Sequence, residues 1–573
     1  MGYQQRYEAW LRDFAGDADT VRELQRIAGD EKEKEDRFYT DLSFGTAGMR
    51  GVLGAGTNRM NVYTVRRATC GLADYINAAP GQAQRGVVIA YDSRRMSAQF
   101  ARQAALVLCA QGIRVYLFDS LRPVPALSFA VRELKAVAGI VITASHNPPQ
   151  YNGYKVYWED GAQLPPELAE AVYSRIEATA YTDALPMDEA EAKAGGLLQM
   201  IGQALDDAYI ARVRTLCVQP QLMATAGKNL KIVYTPLHGS GNILVRRILR
   251  EVGIQGVIVV PEQELPDPDF STVAVPNPED PGAFTLAMAL ADREGADCVF
   301  GTDPDCDRVG VAVKDGQGVY RLLTGNQIGC LLLYYMLTSR KALGTLPANG
   351  AVIKSMVTTE LARAIAADFD VAVFDVLTGF KFIAEKIQSF EDTGSHTFLF
   401  GFEESYGYLS STFVRDKDGV NASLLIAEAA AWAKSHGKTL YDVLQEIYAT
   451  YGHYVESGVS VTLPGVDGLA RMRQISARLR GQPPRQLGDL PVLAVRDYLS
   501  GLRTDVATGA QTPMGYPAAD GVYYELAGGA WVCVRPSGTE PKMKLYIANC
   551  GEDAATAKAQ NEALREAARA LVQ

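Results

Sequence analysis

Short apolar runs alternate with helix-like segments over most of this chain. The runs have the length of buried strands, and the segments between them place apolar residues three or four positions apart. Alternating strands and helices are typical of α/β domains with a mostly parallel sheet. The pattern therefore predicts three successive α/β units of similar size, with strands at residues 87–90, 113–118, 137–142, 231–235, 257–260, 297–301, 351–354, 371–374 and 397–401.

The two ends of the chain follow different patterns. Residues 1–40 are charged and helical, and we expect them to pack on the first unit. After residue 455, strand-like runs precede an alanine-rich helix at 554–571, which predicts a smaller α+β domain. We expect its strands at 521–526, 531–534 and 544–548. The proline- and glycine-rich stretches at 480–491 and 508–520 are expected to be loops.

Length and composition limit the possible classes of protein. The 573 residues are too many for one hydrophobic core, and the changes of pattern predict domains at 1–208, 209–322, 323–455 and 456–573. The net charge of -10 argues against nucleic acid as a partner. The chain has no long apolar run and no apolar signal core, so we expect a cytoplasmic protein without a membrane partner. The eight cysteines form no C-x-x-C pair, so neither a disulfide framework nor a zinc site is predicted.

The first candidate for chemistry is a serine at the end of a predicted strand. Ser145 follows the apolar run at 137–142, on a turn that two prolines stiffen. His146 is its neighbour, and Lys155 comes soon after. Active-site residues often lie where a rigid strand delivers a loop. The alternative is a surface turn that happens to contain serine and histidine.

Three aspartates follow a strand of the second unit. Asp303, Asp305 and Asp307 alternate with other residues, so in an extended segment their side chains would share one face. Three carboxylates at one point repel each other unless a cation lies between them, and oxygen ligands favour Mg²⁺, Mn²⁺ or Ca²⁺. An EF-hand is excluded because Arg308 and Lys314 occupy the positions that need Gly and Glu. The alternative is a solvated acidic turn.

The third unit also carries polar residues after a strand. Glu403, Glu404 and Ser405 suit hydrogen bonds to sugar hydroxyls, although an acidic loop is the alternative. The glycine-rich loop at 42–51 contains Arg50, which can bind a phosphate, although a plain turn is the alternative.

An anion-binding pattern lies in the last domain. The backbone N–H groups of Ser537, Gly538 and Thr539 form a nest for an anion, and Arg535 and Lys542 flank it. The serine, aspartate, sugar and nest stretches lie one in each predicted domain. This arrangement is what a cleft shared by four domains needs.

Together these stretches resemble the α-D-phosphohexomutases, the family of phosphoglucomutase and phosphomannomutase. The resemblance covers nearly the whole chain, with the motifs in the same order. It implies four domains around a central cleft, and an intramolecular phosphotransferase of the isomerase class. Such an enzyme moves a phosphoryl group between the 1- and 6-hydroxyls of a hexose. The resemblance implies Mg²⁺ as cofactor, glucose 1,6-bisphosphate as activator and intermediate, and sugar phosphates as partners; we expect a monomer or small homo-oligomer.

The resemblance also implies a role for each motif. Ser145 would carry the phosphoryl group, and one of its phosphate oxygens would join the three aspartates around Mg²⁺. The other matched positions are Lys155 and Arg308 beside the reacting phosphate, Thr378, Gly379 and Lys381 in a loop that helps choose the sugar orientation, Glu403 and Ser405 at the sugar, and Arg535, Ser537, Gly538 and Thr539 at the distal phosphate.

A serine hydroxyl needs a base nearby. His146, Lys155 and Lys417 are the candidates, and we favour Lys155 because neighbouring cations make a lysine easier to deprotonate. His238 has no catalytic role that the sequence supports, and we expect it to be structural.

The sugar itself is predicted from one departure. Family members that act equally on mannose and glucose often carry Gly-Glu-Met-Ser-Gly-His, whereas residues 403–407 are Glu-Glu-Ser-Tyr-Gly. This resembles the glucose-preferring form, so we expect interconversion of glucose 1-phosphate and glucose 6-phosphate. A phosphopentomutase or phosphomannomutase with the same mechanism is the alternative. Two other classes of protein are less consistent with the sequence. A serine hydrolase would need a G-x-S-x-G elbow, which does not surround Ser145. A non-catalytic sugar-phosphate binding protein would not need every catalytic residue type.

Overall fold

Each predicted unit of the chain contains its own β-sheet. The computed structural model describes residues 2–463, 468–536 and 542–573. Its strands form four sheets, three with helices in an α/β order and a fourth that is antiparallel. The predicted fold class, three α/β domains and a smaller α+β domain, is confirmed.

The charged N-terminal segment packs on the first domain, as its helical pattern predicts. Asp17 accepts backbone N–H bonds at the start of the second helix and caps it. The aromatic ring of Phe14 stacks on Tyr63 at 3.7 Å, and Trp10 meets the same ring edge-on. This contact attaches the segment to the helix that contains Tyr63. The three N-terminal helices are α1 (Tyr3–Asp13), α2 (Ala18–Arg26) and α3 (Glu31–Phe38).

The first sheet has six strands in the order β1-β5-β4-β2-β3-β6. The strands from β4 to β6 in this order are parallel, and β5 and β1 add an antiparallel edge. The elements are β1 (Met49–Val52), α4 (Val62–Asn77), α5 (Gln82–Arg85), β2 (Val87–Tyr91), α6 (Ser97–Ala110), β3 (Val115–Phe118), α7 (Val124–Glu133), β4 (Ala138–Ile142), β5 (Tyr151–Trp158), α8 (Pro166–Ala178), α9 (Glu189–Ala194), β6 (Leu198–Ile201) and α10 (Gln203–Arg214).

The second sheet has five strands in the order β11-β10-β9-β7-β8, with parallel pairing at β9-β7-β8. Short 3₁₀ turns lie at Ala226–Asn229 and Pro281–Phe284. The elements are α11 (Pro220–Thr225), β7 (Lys231–Thr235), α12 (Gly241–Glu251), β8 (Gly256–Val259), α13 (Pro261–Glu264), α14 (Thr285–Glu294), β9 (Cys298–Thr302), β10 (Val309–Lys314) and β11 (Tyr320–Leu322).

The third sheet has four strands in the order β13-β12-β14-β15. Its helices α15 and α18 are buried along most of their length, and the core they form is continuous with that of the second domain. The elements are α15 (Gly325–Ala342), β12 (Gly350–Ser355), α16 (Leu361–Ala367), β13 (Ala372–Val376), α17 (Phe380–Thr393), β14 (Thr397–Glu403), β15 (Gly407–Leu409), α18 (Gly419–Ser435) and α19 (Leu440–Tyr451).

The last sheet is antiparallel, in the order β16-β23-β22-β21-β18-β19-β20, with β17 paired to β18. Part of the region predicted as loop is strand, because short edge strands with proline and glycine have a weak sequence signal. A 3₁₀ turn lies at Ala527–Gly529. The elements are β16 (His453–Thr462), α20 (Gly468–Gly481), β17 (Gln486–Leu487), β18 (Leu490–Asp497), β19 (Leu502–Asp505), β20 (Gln511–Pro513), β21 (Val522–Leu526), β22 (Trp531–Pro536), β23 (Lys542–Gly551) and α21 (Ala554–Ala570).

Among the described residues, no helix combines the length and the apolar character that crossing a membrane requires. All eight cysteines are unpaired.

Candidate active site

Ser145 lies in the turn that joins β4 to β5. It is buried, and its φ of 52° places it in the left-handed region, which costs a residue with a side chain about 1–3 kcal/mol. Its backbone N–H donates to Oγ1 of Thr143 at 2.8 Å. Its Oγ lies between two groups that can take its proton, Oδ2 of Asp303 at 2.7 Å and Nδ1 of His146 at 3.2 Å. The turn therefore aims the hydroxyl at the second domain.

The aspartate loop brings its three carboxylates together in a different way from the one expected. The segment after β9 is a turn, with Cys306 at a φ of 51°, and not an extended strand end. Oδ1 of Asp303 accepts the backbone N–H groups of Asp307 and Arg308 at 3.1 and 3.0 Å, which closes the turn. One oxygen from each of the three aspartates, the third being Asp305, lies within 4.8 Å of the others.

This carboxylate cluster fits a hard divalent cation. All three side chains are buried, and Oδ1 of both Asp305 and Asp307 has no hydrogen-bond partner. Burial and the two neighbouring carboxylates raise the pKa of Asp303 well above its ordinary value. A buried oxygen without a partner and a carboxylate under repulsion are both relieved by a cation that prefers oxygen ligands.

Cations surround the aspartate loop. Nζ of Lys155 donates to Oδ2 of Asp305 at 2.8 Å, and Nζ of Lys417 lies 3.2 Å from Oδ2 of Asp307. Burial opposes ionisation of Asp307, but Lys417 and Lys155 outweigh it and hold the pKa of that carboxyl below its usual range. Arg308 pairs with Glu279 at 2.5 Å. Carboxylates and cationic side chains are therefore in close contact in and around the aspartate loop.

The protonation states of His146 and Lys417 follow from the same surroundings. Burial lowers the pKa of His146, and Arg308 and Arg50 lower it further, so its imidazole is neutral. Burial also lowers the pKa of Lys417, but Asp307 and other acids more than compensate and keep it above its ordinary value. Lys417 is therefore a cation at neutral pH.

The loop that carries Lys417 is anchored on the first domain. Oδ2 of Asp416 accepts hydrogen bonds from the hydroxyl of Tyr157 at 2.8 Å and from Gln163 at 3.0 Å. Its Oδ1 accepts from Nζ of Lys417 at 2.9 Å. Sequence reasoning did not identify Asp416 or Tyr157. Asp416 was visible in the sequence as the acidic neighbour of Lys417, but its partner Tyr157 lies far from it along the chain.

Two loops of the third domain meet at Glu403. Its buried Oε1 accepts the backbone N–H of Gly379 at 2.8 Å, which joins the two predicted sugar-facing loops. Burial and the adjacent Glu404 raise the pKa of Glu403 to about 7. Oε2 of Glu404 accepts from Ser355 at 3.1 Å. The half-buried residues of these loops are Thr378, Lys381 and Ser405.

The other residues predicted for the site are Arg50 and those of the anion-binding pattern in the last domain. Arg50 is exposed on β1 and donates to Oδ1 of Asn147 in the serine turn at 3.0 Å. Arg535 and Lys542 are half-buried on β22 and β23. The predicted nest residues between them lie outside the described residues; they are Ser537, Gly538 and Thr539.

His238 is a structural residue in the second domain. Its Nδ1 contacts the carbonyl of Leu265 at 3.0 Å, and its Nε2 contacts Oγ1 of Thr272 at 2.8 Å. Both ring nitrogens are therefore satisfied within the fold.

The chain matches three families of known domains. Residues 41–183, 207–316 and 324–451 match the domains described as "Phosphoglucomutase/phosphomannomutase, alpha/beta/alpha domain" I, II and III. A curated relative from Staphylococcus aureus named phosphoglucomutase is 39% identical over 516 residues, which is 90% of this chain and 91% of the relative.

Two solved structures have a fold similar to that of this chain. A protein of Thermus thermophilus that is provisionally named phosphomannomutase has a TM-score of 0.69 and 26% identity, covering 93% of this chain and 99% of its own. The open form of a phosphoglucomutase from Paramecium has a TM-score of 0.67 and covers 93% of this chain and 95% of its own. Its identity of 18% supports the fold alone.

Proposed function

The chain belongs to the phosphoglucomutase/phosphomannomutase family, and we propose that it interconverts glucose 1-phosphate and glucose 6-phosphate with Ser145 as the phosphoryl carrier. It is an intramolecular phosphotransferase of the isomerase class. One observation supports the carrier most directly: the buried Oγ of Ser145 lies 2.7 Å from Asp303, beside a cluster of acids and cations. Phosphoryl transfer depends on such positioning and charge compensation more than on covalent help.

In the proposed cycle, phosphorylated Ser145 gives its phosphoryl group to the 6-hydroxyl of glucose 1-phosphate. The Oγ–P bond breaks, an O6–P bond forms, and the O6 proton passes to a base. The glucose 1,6-bisphosphate formed in this way reorients in the cleft. The phosphoryl group on O1 is then transferred to Oγ of Ser145: the O1–P bond breaks, an Oγ–P bond forms, Oγ gives up its proton and O1 takes up a proton. Glucose 6-phosphate leaves, and Ser145 is phosphorylated again.

The three aspartates Asp303, Asp305 and Asp307 would hold Mg²⁺, with Ser145 contributing an oxygen once it is phosphorylated. When bound, the ion would stabilise the negative charge of the reacting phosphate. Lys155 and Lys417 lie beside Asp305 and Asp307 and offset part of the charge of the carboxylates.

His146 is the better candidate for the base near Ser145. Its neutral ring contacts Oγ at 3.2 Å, whereas Lys417 is held protonated by its acidic neighbours. Lys155, which we favour from the sequence, donates its Nζ to Asp305. We assign Lys155, Lys417 and Arg308 to charge compensation.

Sugar contacts belong to the third domain in this proposal. Glu403 and Ser405 would accept and donate hydrogen bonds at the sugar hydroxyls, and the loop with Thr378, Gly379 and Lys381 would set the sugar orientation. The bond from Gly379 to Glu403 supports this because it links the two loops. Arg535 and Lys542, with the nest of Ser537, Gly538 and Thr539, would bind the distal phosphate, and Arg50 would face the transferring one.

The domain division at 1–208, 209–322, 323–455 and 456–573 is part of the proposal. The four sheets support the number of domains, but the boundaries after residues 208 and 455 fall inside α10 and β16. A coupled assay on glucose, mannose and ribose 1-phosphates tests the function. We expect the highest kcat/KM for glucose 1-phosphate, with activity that needs Mg²⁺ and glucose 1,6-bisphosphate. A higher kcat/KM for ribose or mannose 1-phosphate would favour the alternative phosphopentomutase or phosphomannomutase.

A further inference from the structure

Arg94 holds the serine turn from behind. Its two terminal nitrogens donate to four backbone carbonyls of that turn, two hydrogen bonds from each nitrogen. Nη2 bonds the carbonyls of Ser145 and Asn147, and Nη1 bonds those of Pro148 at 2.9 Å and Tyr151 at 3.1 Å. The guanidinium thus spans the whole turn.

Arg94 is itself fixed from the other side. Its Nε lies 3.3 Å from Oδ2 of Asp92, and both side chains are fully buried. Oδ1 of Asp92 accepts the backbone N–H of Arg94 at 2.9 Å and the hydroxyl of Ser97 at 2.7 Å. Neither Arg94 nor Asp92 can therefore change its side-chain rotamer without breaking buried contacts, which are costly to lose.

A loop of the second domain packs against Arg94 and Arg95. The Cζ of Arg94 lies 4.9 Å from the ring centroid of Phe270, a buried residue in the loop after α13. The adjacent Arg95 pairs with Asp269 on the same loop at 2.5 Å. The second domain also supplies Asp303 to the hydroxyl of Ser145. One domain contact therefore acts on both sides of the serine turn.

We propose that Arg94 is a positioning residue that keeps Ser145 in its left-handed conformation with Oγ aimed at the aspartate loop, and that Phe270 caps it. The inference rests on the proposed role of Ser145. The left-handed φ is unfavourable for serine, so its neighbours must offset the cost, and Arg94 does so by bonding the carbonyls of Ser145 and Asn147. A planar guanidinium can bond four carbonyls at once, whereas the point charge of lysine has three donors and no fixed plane.

The test compares Arg94→Lys, Arg94→Ala and Phe270→Leu with the unaltered protein, by steady-state kinetics, phosphate on Ser145 by intact mass, and Tm. For Arg94→Lys we expect kcat to fall by about 100-fold, the size of effect that small misplacements of reacting groups produce, while KM stays within about twofold. Added guanidinium should restore part of the kcat of Arg94→Ala, and methylammonium should not. Arg59→Lys is the matched control, because Arg59 is also buried in the first domain and bonds backbone carbonyls away from the turn.

Two results would overturn the inference. One is an Arg94→Lys protein with unchanged kcat and Ser145 phosphate. The other is loss of kcat together with Tm and without guanidinium rescue, which would mark Arg94 as merely structural. If the Arg94 variants do not fold, Phe270→Leu decides: a lower kcat at unchanged KM supports the inference, and an unchanged kcat rejects it. An inactive unaltered protein would instead reject the proposed function.

Discussion

The hydroxyl of Ser145 donates to Oδ2 of Asp303 at 2.7 Å, although the two residues come from different domains. The serine turn follows β4 in the first sheet, and the aspartate loop follows β9 in the second. The contact between the two domains therefore creates the candidate site, and neither domain contains it alone.

Removing the Ser145 hydroxyl should abolish the reaction. We expect Ser145→Ala to lose about 10⁴-fold or more in kcat, as enzymes do when their nucleophile is removed. Intact mass should show no phosphate on this variant after incubation with glucose 1,6-bisphosphate. The exposed Ser174→Ala serves as the control. Normal mutase activity in Ser145→Ala would reject the proposed carrier.

Replacing Asp303 should remove the stabilisation by Mg²⁺ without lowering the stability of the metal-free protein. Without Mg²⁺, Asp303→Asn should have an equal or higher Tm than the unaltered protein, because it removes one of three repelling buried carboxylates. Added Mg²⁺ should raise the Tm of the unaltered protein, since a ligand that binds the native state stabilises it, but not that of Asp303→Asn. Differential scanning calorimetry measures both. Asp292→Asn, at an exposed position, should keep the Mg²⁺ response. A full Mg²⁺ response in Asp303→Asn would contradict the metal site.

His146→Ala should slow phosphoryl transfer without weakening sugar binding. The neutral ring contacts Oγ of Ser145, and loss of a general base typically costs about 10²–10⁴-fold in rate. Steady-state kinetics should show a lower kcat at nearly unchanged KM. A larger loss in KM than in kcat would assign the ring to substrate binding instead.

Lys417→Met should destabilise the protein strongly. The change leaves the buried Asp307 and Asp416 without their shared cation, and breaking a buried ion pair costs about 3–5 kcal/mol. Urea unfolding gives the free energy. Lys434→Met removes an ion pair with Asp297 that is far more exposed, so it should cost about 0–1 kcal/mol. Equal losses in the two variants would show that Lys417 is not buried among acids in solution.

Glu403 should make stability depend on pH. Burial and Glu404 raise the pKa of Glu403 from 4.5 to about 7, so the folded protein binds this proton more tightly than the unfolded chain does. The resulting stabilisation is full below pH 4.5 and is lost as the pH rises to about 7. Relative to Glu403→Gln, the unaltered protein should therefore lose unfolding free energy over this range and level off above it. Glu562→Gln, at an exposed position, is the control. A flat difference for Glu403→Gln would contradict the raised pKa.

The local pattern of the chain determined most of the elements. The strands before Ser145, Asp303 and Glu403 are buried apolar runs, and such runs are visible without any knowledge of their neighbours. The short strands β17 and β20 lie in segments rich in proline and glycine, and they were not predicted because their pairing depends on the partner strand. Most candidate residues were also found in the sequence, since the serine, aspartate, sugar and nest stretches each follow a predicted strand.

The tertiary structure decided how these residues act. Asp303, Asp305 and Asp307 converge through a turn closed by backbone hydrogen bonds, and the predicted extended segment is absent at these residues. The protonation states of His146 and Lys417 depend on charges from other domains. The grip of Arg94 on the serine turn has no sequence signal, because hydrogen bonds to carbonyls distant in the chain leave no periodicity. Spacing along the chain reports local geometry, whereas burial and charge at a site arise only when distant segments meet.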